Sequence, residues 1–362
     1  MNEETVESKT YRLVKPGKFE ETILHHNVKD GEVVVQPSLA SICHADLRYY
    51  TGQRRKEALE KKLPMALFHE GIGQVVKSRD ESIQTGQRVI IVPNIAGRLL
   101  NDNKNNDTAS ATRRIVADNY SENGAFLGSG YDGIGQNRLV LPSENVVPIP
   151  EDVPDKIAVL AEMSSVSLHA LSHVCASLND GKVSVFGDGP VGYLTAALLY
   201  HIYGIPKSEL IVFGAIKDKL KHFNFATTHL VHDFDFKAQK EVVTAIEGTG
   251  GKFSESAINQ AIDLIEPQGK ITLMGVSEDL VPINTRDVLQ KGLTLFGSSR
   301  STVKEFKILM KAFQNQAYQK TLERILPAQN ELIRSAEDLK KAMDKASTNK
   351  GWGKILLSFE WD

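Results

Sequence analysis

Apolar and polar positions follow two rhythms along this chain, and the change falls near residue 158. Before it, the apolar runs are short and rich in Val and Ile, at 31–41, 71–78 and 87–93. Bounded by Gly, Ser and Pro, these runs predict strands. The rhythm lapses between Gly97 and Gly124, where four Asn fall among residues 101–106. That polar, aperiodic stretch predicts a long exposed loop. Residues 137–154 return to strand, and Pro148, Pro150 and Pro154 mark a hinge between domains.

After residue 158, strand-like and helix-like segments alternate. Helical spacing over 158–178 gives way to a buried-type strand at 183–187, a helix at 190–204, a strand at 209–214 and a helix at 217–225. Strands at 241–248, 270–276 and 293–299 follow, with a helix at 254–265 before the second of them. Such alternation predicts a parallel sheet covered on both faces. Two amphipathic helices, at 304–313 and 336–346, precede a last strand at 354–359. No internal repeat interrupts this order.

Composition narrows the class. At roughly 150 residues per domain, 362 residues predict two domains. Apolar residues make up 41% and charged residues 24%, the mix of a soluble globular protein. Lys+Arg 43 against Asp+Glu 45 gives a net charge of −2, which argues against a general nucleic-acid binder. Only Cys43 and Cys175 are present, so a disulfide scaffold is excluded and a reducing, cytoplasmic setting is expected. The polar N-terminal stretch is no signal peptide, and no apolar run reaches the length of a membrane span.

Gly187, Gly189 and Gly192 form a G-x-G-x-x-G between a predicted strand and a predicted helix. The first permits a tight turn, the second admits a pyrophosphate to the backbone, and the third lets helix and strand pack closely. The helix N-terminus would offer free N–H groups to the diphosphate, with Pro190 and Val191 in the same loop. Asp188 must then point away from the phosphates. The second strand ends in Gly214, where an NAD-preferring site carries an acid, and Lys217 and Lys219 stand close by. This predicts NADPH/NADP as cofactor.

Cys43 lies in Ser-Ile-Cys-His-Ala-Asp (41–46), and His69 and Glu70 are adjacent in Leu-Phe-His-Glu-Gly (67–71). A thiolate, an imidazole and a carboxylate suit Zn2+, and three protein ligands leave a position open. Asp46 is suited to accept the second ring N–H of a ligating histidine. A buried cysteine or a His-Glu pair alone is commonly structural; the combination with a dinucleotide loop is what points to catalysis.

Taken in that order, the cysteine, His-Glu-Gly-x-Gly and glycine-loop motifs resemble the zinc-dependent medium-chain dehydrogenase/reductase superfamily over nearly the whole chain. The resemblance implies an α/β protein: a GroES-like, β-rich catalytic domain over 1–162, rejoined by 298–362, and a Rossmann NADP-binding domain over 163–297. It also implies a fourth metal residue, Glu162 in Glu-Met-Ser-Ser-Val (162–166). One zinc per chain is expected, because the loop that holds a structural zinc in many members has no cysteine here. Ala45 replaces the relay hydroxyl of many members, leaving a metal-bound water, His44 or Glu70 as proton routes.

A narrower resemblance runs through 41–55, 63–76, 186–199, 220–225 and 275–301, to the ribulose-5-phosphate reductases that make D-ribitol 5-phosphate for CDP-ribitol and teichoic acid or capsule. It implies NADPH, one zinc on Cys43, His69, Glu70 and Glu162, and reduction of a small phosphorylated ketose. Arg48 and Arg54 are candidate phosphate contacts, since a guanidinium pairs well with a dianion; Tyr49 matches a substrate contact of polyol dehydrogenases. Ser298 and Lys354 are weaker cofactor candidates, and Cys175 has no assigned role. A homodimer through the last Rossmann strand, and association with the cytidylyltransferase of the pathway, are expected; nucleic acid and membrane are not. Two alternatives stay open: an NAD(P) polyol dehydrogenase on an unphosphorylated sugar alcohol, and a non-catalytic protein on the same scaffold.

Overall fold

The computed structural model describes residues 4–100, 116–121, 123–238, 241–349 and 351–361. The chain divides into two compact units. Met1–Glu162, Ser301–Asn315 and Leu326–Asp362 form the first; Met163–Arg300 and Gln316–Ile325 form the second. Most of the expected loop at 97–124 lies outside the described residues; its first four residues, Gly97–Leu100, form a short helix.

The first unit is built on antiparallel strands. Its main sheet runs Val146–Pro148, Arg88–Ile91, Glu70–Ser78, Glu32–Ser41, Leu356–Phe359, Glu331–Ile333, with Leu139–Pro142 also paired to Glu32–Ser41. The Glu32–Ser41 strand is central because Val33, Val34, Val35, Leu39 and Ala40 are all buried. Its register matters most: Ser41 faces Glu70 on one side and Leu356 on the other. A hairpin of Glu4–Lys15 and Lys18–Val28, turning at Pro16–Gly17, adds to the strands that the sequence predicts. Its second strand is mostly polar and half-exposed, so no buried face shows in its pattern.

The second unit carries six parallel strands: Lys182–Phe186, Leu210–Gly214, Thr227–Leu230, Val242–Glu247, Ile265–Leu273 and Thr294–Gly297. Numbered in chain order, they lie 3-2-1-4-5-6 across the sheet, the doubly wound arrangement that places ligands at the carboxyl ends of the strands. Strand Thr227–Leu230, only four residues long and half-buried throughout, carries little apolar signal in the sequence. The helix expected over 217–225 stops at Leu220.

The tail also departs from expectation. Gln316–Ile325 groups with the second unit, although the whole segment from 298 was expected to rejoin the first. The reason is local: the Tyr193 hydroxyl donates to Thr321 O at 2.7 Å, and His201 Nε2 lies 2.8 Å from Thr321 Oγ1. Both residues belong to the Pro190–His201 helix. No helix among the described residues is long and apolar enough to cross a membrane.

Candidate metal centre and dinucleotide site

Sheet register assembles the first site. Cys43 precedes the His44–Tyr50 helix, two residues beyond the end of the central strand, and its N–H donates to Asp46 Oδ2 at 2.9 Å. Phe68, just before the His-Glu pair, has φ +75°, a left-handed conformation costly for a bulky residue. Its surroundings hold it there. Phe68 is fully buried, its N–H donates to Asp46 Oδ1 at 3.1 Å, and its carbonyl accepts from Ile134 N at 3.0 Å.

As a result one ligand atom each from Cys43, His69 and Glu70 comes within 4.8 Å of the others. His69 Nδ1 stands 3.7 Å from Asp46 Oδ1, the carboxylate that supports the ring from behind. Glu162 is buried but stays outside this trio, acting on His69 and Glu70 through its charge. Three of the four expected metal residues therefore converge.

The electrostatics describe a site short of positive charge. Burial, with Glu70 adjacent, pushes the Cys43 thiol up. Burial drives Glu162 up to about 7, against the pull of His69. His69 is opposed by burial, yet the charges of Asp46 and Cys43 hold it well above the usual imidazole range. Glu70 is also opposed by burial; Lys354 and His69 win and keep its carboxyl low. Glu70 Oε1 is buried with no hydrogen-bond partner. An orphaned buried acceptor needs an explanation, and a divalent cation between thiolate, imidazole and carboxylate supplies one. The residues fit zinc.

In the second unit the glycine loop follows the first parallel strand. Gly187 has φ +137°, and a Cβ on Gly192 would sit 2.0 Å from Gly187 O. Both positions therefore require glycine. A Cβ on Gly189, by contrast, would project into open space. That clear surface, at the N-cap of Pro190–His201, fits a diphosphate. Asp188 resolves its awkward position by turning away: its Oδ2 accepts from Ala215 N and Ile216 N, each at 2.8 Å. A Cβ on Gly214 would then lie 2.6 Å from Asp188 Cβ. The missing acid at the strand end thus has a steric cause.

The GroES-like domain of alcohol dehydrogenases matches residues 29–151. Ribulose-5-phosphate reductase 1 of Staphylococcus aureus is 38% identical over 360 residues, covering 97% of this chain and 99% of that protein. Ribulose-5-phosphate reductase of Bacillus spizizenii is 36% identical, covering 98% and 99%. The chain belongs to the ribulose-5-phosphate reductases. The crystal structure of S. aureus TarJ in complex with NADPH matches with a TM-score of 0.81 and 34% identity, covering 98% of this chain and 100% of that one. The GroES-like and Rossmann architecture of the medium-chain dehydrogenase/reductases is thereby established.

Within this reductase framework the remaining sequence candidates fall into three groups. Lys217 is exposed at the start of its helix, beside the Asp188 tether. Ser298 is buried past the last parallel strand, with an Oγ that meets no hydrogen-bond partner. Lys354, expected at the cofactor, belongs to the first unit, where its ammonium lies 2.8 Å from Glu70 Oε2 and donates to Ile42 O at 2.9 Å. The pairing of Leu356 with Ser41 carries it there. Lys354 thus stands beside the metal group. Arg48 and Arg54 both act on His44, and Arg54 Cζ stands 4.8 Å from the Tyr49 ring centroid.

Sequence reasoning missed Glu247. It is fully buried at the carboxyl end of the fourth parallel strand, where it accepts from Thr249 N at 2.9 Å and Gly275 N at 3.1 Å. An acid closing the apolar run 242–246 was the available signal.

Proposed function

We propose that this chain reduces D-ribulose 5-phosphate to D-ribitol 5-phosphate with NADPH at a single zinc. The convergence of Cys43, His69 and Glu70 carries the reading, in a chain that matches ribulose-5-phosphate reductases end to end. Those three residues would hold the metal, and Glu162, buried and within electrostatic reach, is available as a fourth ligand or to exchange with water. Zinc supplies a Lewis acid for the ketone carbonyl, and NADPH supplies the hydride.

The chain's own residues set up the rest. Asp46 orients the His69 ring, and Lys354 holds Glu70 ionised against burial. Gly187, Gly189, Pro190, Val191 and Gly192 leave the diphosphate a backbone cradle, and Glu247 fixes the adjoining strand ends. Gly214 and Lys217 favour a 2′-phosphate, with Ser298 as a further contact. Arg48, Tyr49 and Arg54 face the substrate. The polyol-dehydrogenase alternative loses support from the steric exclusion of an acid at Gly214. We further propose a cytoplasmic homodimer pairing through Thr294–Gly297, an edge strand of its sheet, and supply of ribitol phosphate to a cytidylyltransferase for cell-wall polymers.

The test is NADPH oxidation with ribulose 5-phosphate, with and without chelator, beside NADH, fructose and xylulose. Turnover must be zinc-dependent and fastest with ribulose 5-phosphate. Faster reduction of an unphosphorylated ketose with NADH would transfer the assignment to the polyol dehydrogenases.

A further inference from the structure

Lys62 closes the Lys56–Lys62 helix, and its ammonium meets two neutral oxygens, Tyr49 Oη at 3.1 Å and Ser129 Oγ at 2.9 Å. Those oxygens lie 3.2 Å apart. Tyr49 is only 2% exposed, so the phenol is fixed in place. Among the described residues no carboxylate pairs with Lys62. An ammonium has three donors and here engages two on hydroxyls. The third N–H of this half-buried ammonium is available to an anion. The Arg54 guanidinium stacks near the same ring at 4.8 Å, bringing a second positive charge to the spot.

The elements that hold Lys62 also hold the metal residues. Tyr49 lies six positions beyond Cys43, about 9 Å along a helix at 1.5 Å per residue. Ser129 follows Phe126, whose ring centroid is 5.3 Å from that of His69. That spacing suits a short phosphorylated chain with its ketone at the metal.

We propose that Lys62, held by Tyr49 and Ser129, is the anchor for the substrate's phosphate dianion and sets the preference for a phosphorylated ketose. The inference rests on the reductase reading above, which assigns no role to Lys62 or Ser129.

Steady-state kinetics of the zinc-loaded, full-length enzyme test it, with ribulose 5-phosphate beside D-ribulose. A charge-assisted hydrogen bond lost in Lys62→Ala lowers kcat/KM for ribulose 5-phosphate about 30-fold, mainly through KM. The loss with D-ribulose is at least ten times smaller, and Lys62→Arg recovers most of the phosphate-dependent part. Ser129→Ala, which removes only one oxygen, gives a smaller loss of the same kind and covers the case of a Lys62→Ala chain that fails to fold. Equal losses on both substrates, or none, would overturn the proposal. Calorimetric titration with inorganic phosphate separates the two readings. Should the wild-type enzyme leave ribulose 5-phosphate untouched, the reaction assignment falls; weaker phosphate binding by Lys62→Ala than by wild type still supports the anchor, and equal binding removes it.

Discussion

The first unit gathers its chemistry from side chains scattered along the chain: Cys43 before one helix, His69 and Glu70 at the start of a strand, Lys354 near the C-terminus. The second relies on one continuous stretch, 182–201, and mainly on its backbone. The contrast is electrostatic as well. Around the metal trio, buried charges oppose one another and leave a carboxylate oxygen without a hydrogen-bond partner. Around the glycine loop, the one acid is satisfied by two N–H groups, and the phosphate surface is left open. A metal site is therefore fragile to single side-chain losses, while a dinucleotide loop is fragile to added atoms.

The largest expected effect breaks the comparison on the metal side. Cys43→Ala should lower kcat by at least about 1000-fold and remove bound zinc, since Lewis-acid polarisation supplies several kcal/mol. NADPH binding, followed by fluorescence titration, should stay within about threefold; a comparable loss there would show that the two sites are not independent. Lys354→Met comes next. It strands Glu70 in a buried position, and breaking a buried pair costs about 3–5 kcal/mol. Thermal denaturation of the zinc-free protein should show it, and zinc should recover part of the loss. An unchanged melting temperature would mean the pair contributes nothing.

On the dinucleotide side a single methyl should suffice. Gly192→Ala pushes a Cβ to 2.0 Å from Gly187 O and should weaken NADPH binding about 100-fold, since overpacking costs about 1–3 kcal/mol. Zinc content should be unaffected. The smallest effect is at Lys217, an exposed cation: Lys217→Ala should reduce the NADPH-over-NADH preference by about threefold, the scale of an exposed ion pair. A larger change in NADH kinetics than in NADPH kinetics would remove Lys217 from 2′-phosphate recognition.

Legibility in the sequence divides along the same line. The glycine loop was readable because strand, turn and helix follow one another, so each glycine's task is fixed by its neighbours. Cys43 and the His69–Glu70 pair were readable as donors of the right type. Their closeness was not, nor was the exclusion of Glu162 from the trio. The ion pair of Lys354 with Glu70 was not legible either, because a position in the closing segment says nothing of which strand it will lie beside. Lys62 ends a charged helix, and only its contacts with Tyr49 and Ser129 set it apart.

Sequence by itself determined the two-part architecture, the parallel sheet with its phosphate loop, and the chemical character of the metal donors, because local periodicity and residue type act within a few positions. Tertiary structure decided which charge meets which: Lys354 with Glu70, Asp188 with the end of the second strand, Lys62 with two hydroxyls. Those pairings depend on strand register and helix docking between distant segments. One residue of slip on either side of Ser41 turns Glu70 or the Lys354 strand to the opposite face, and no local pattern encodes that choice.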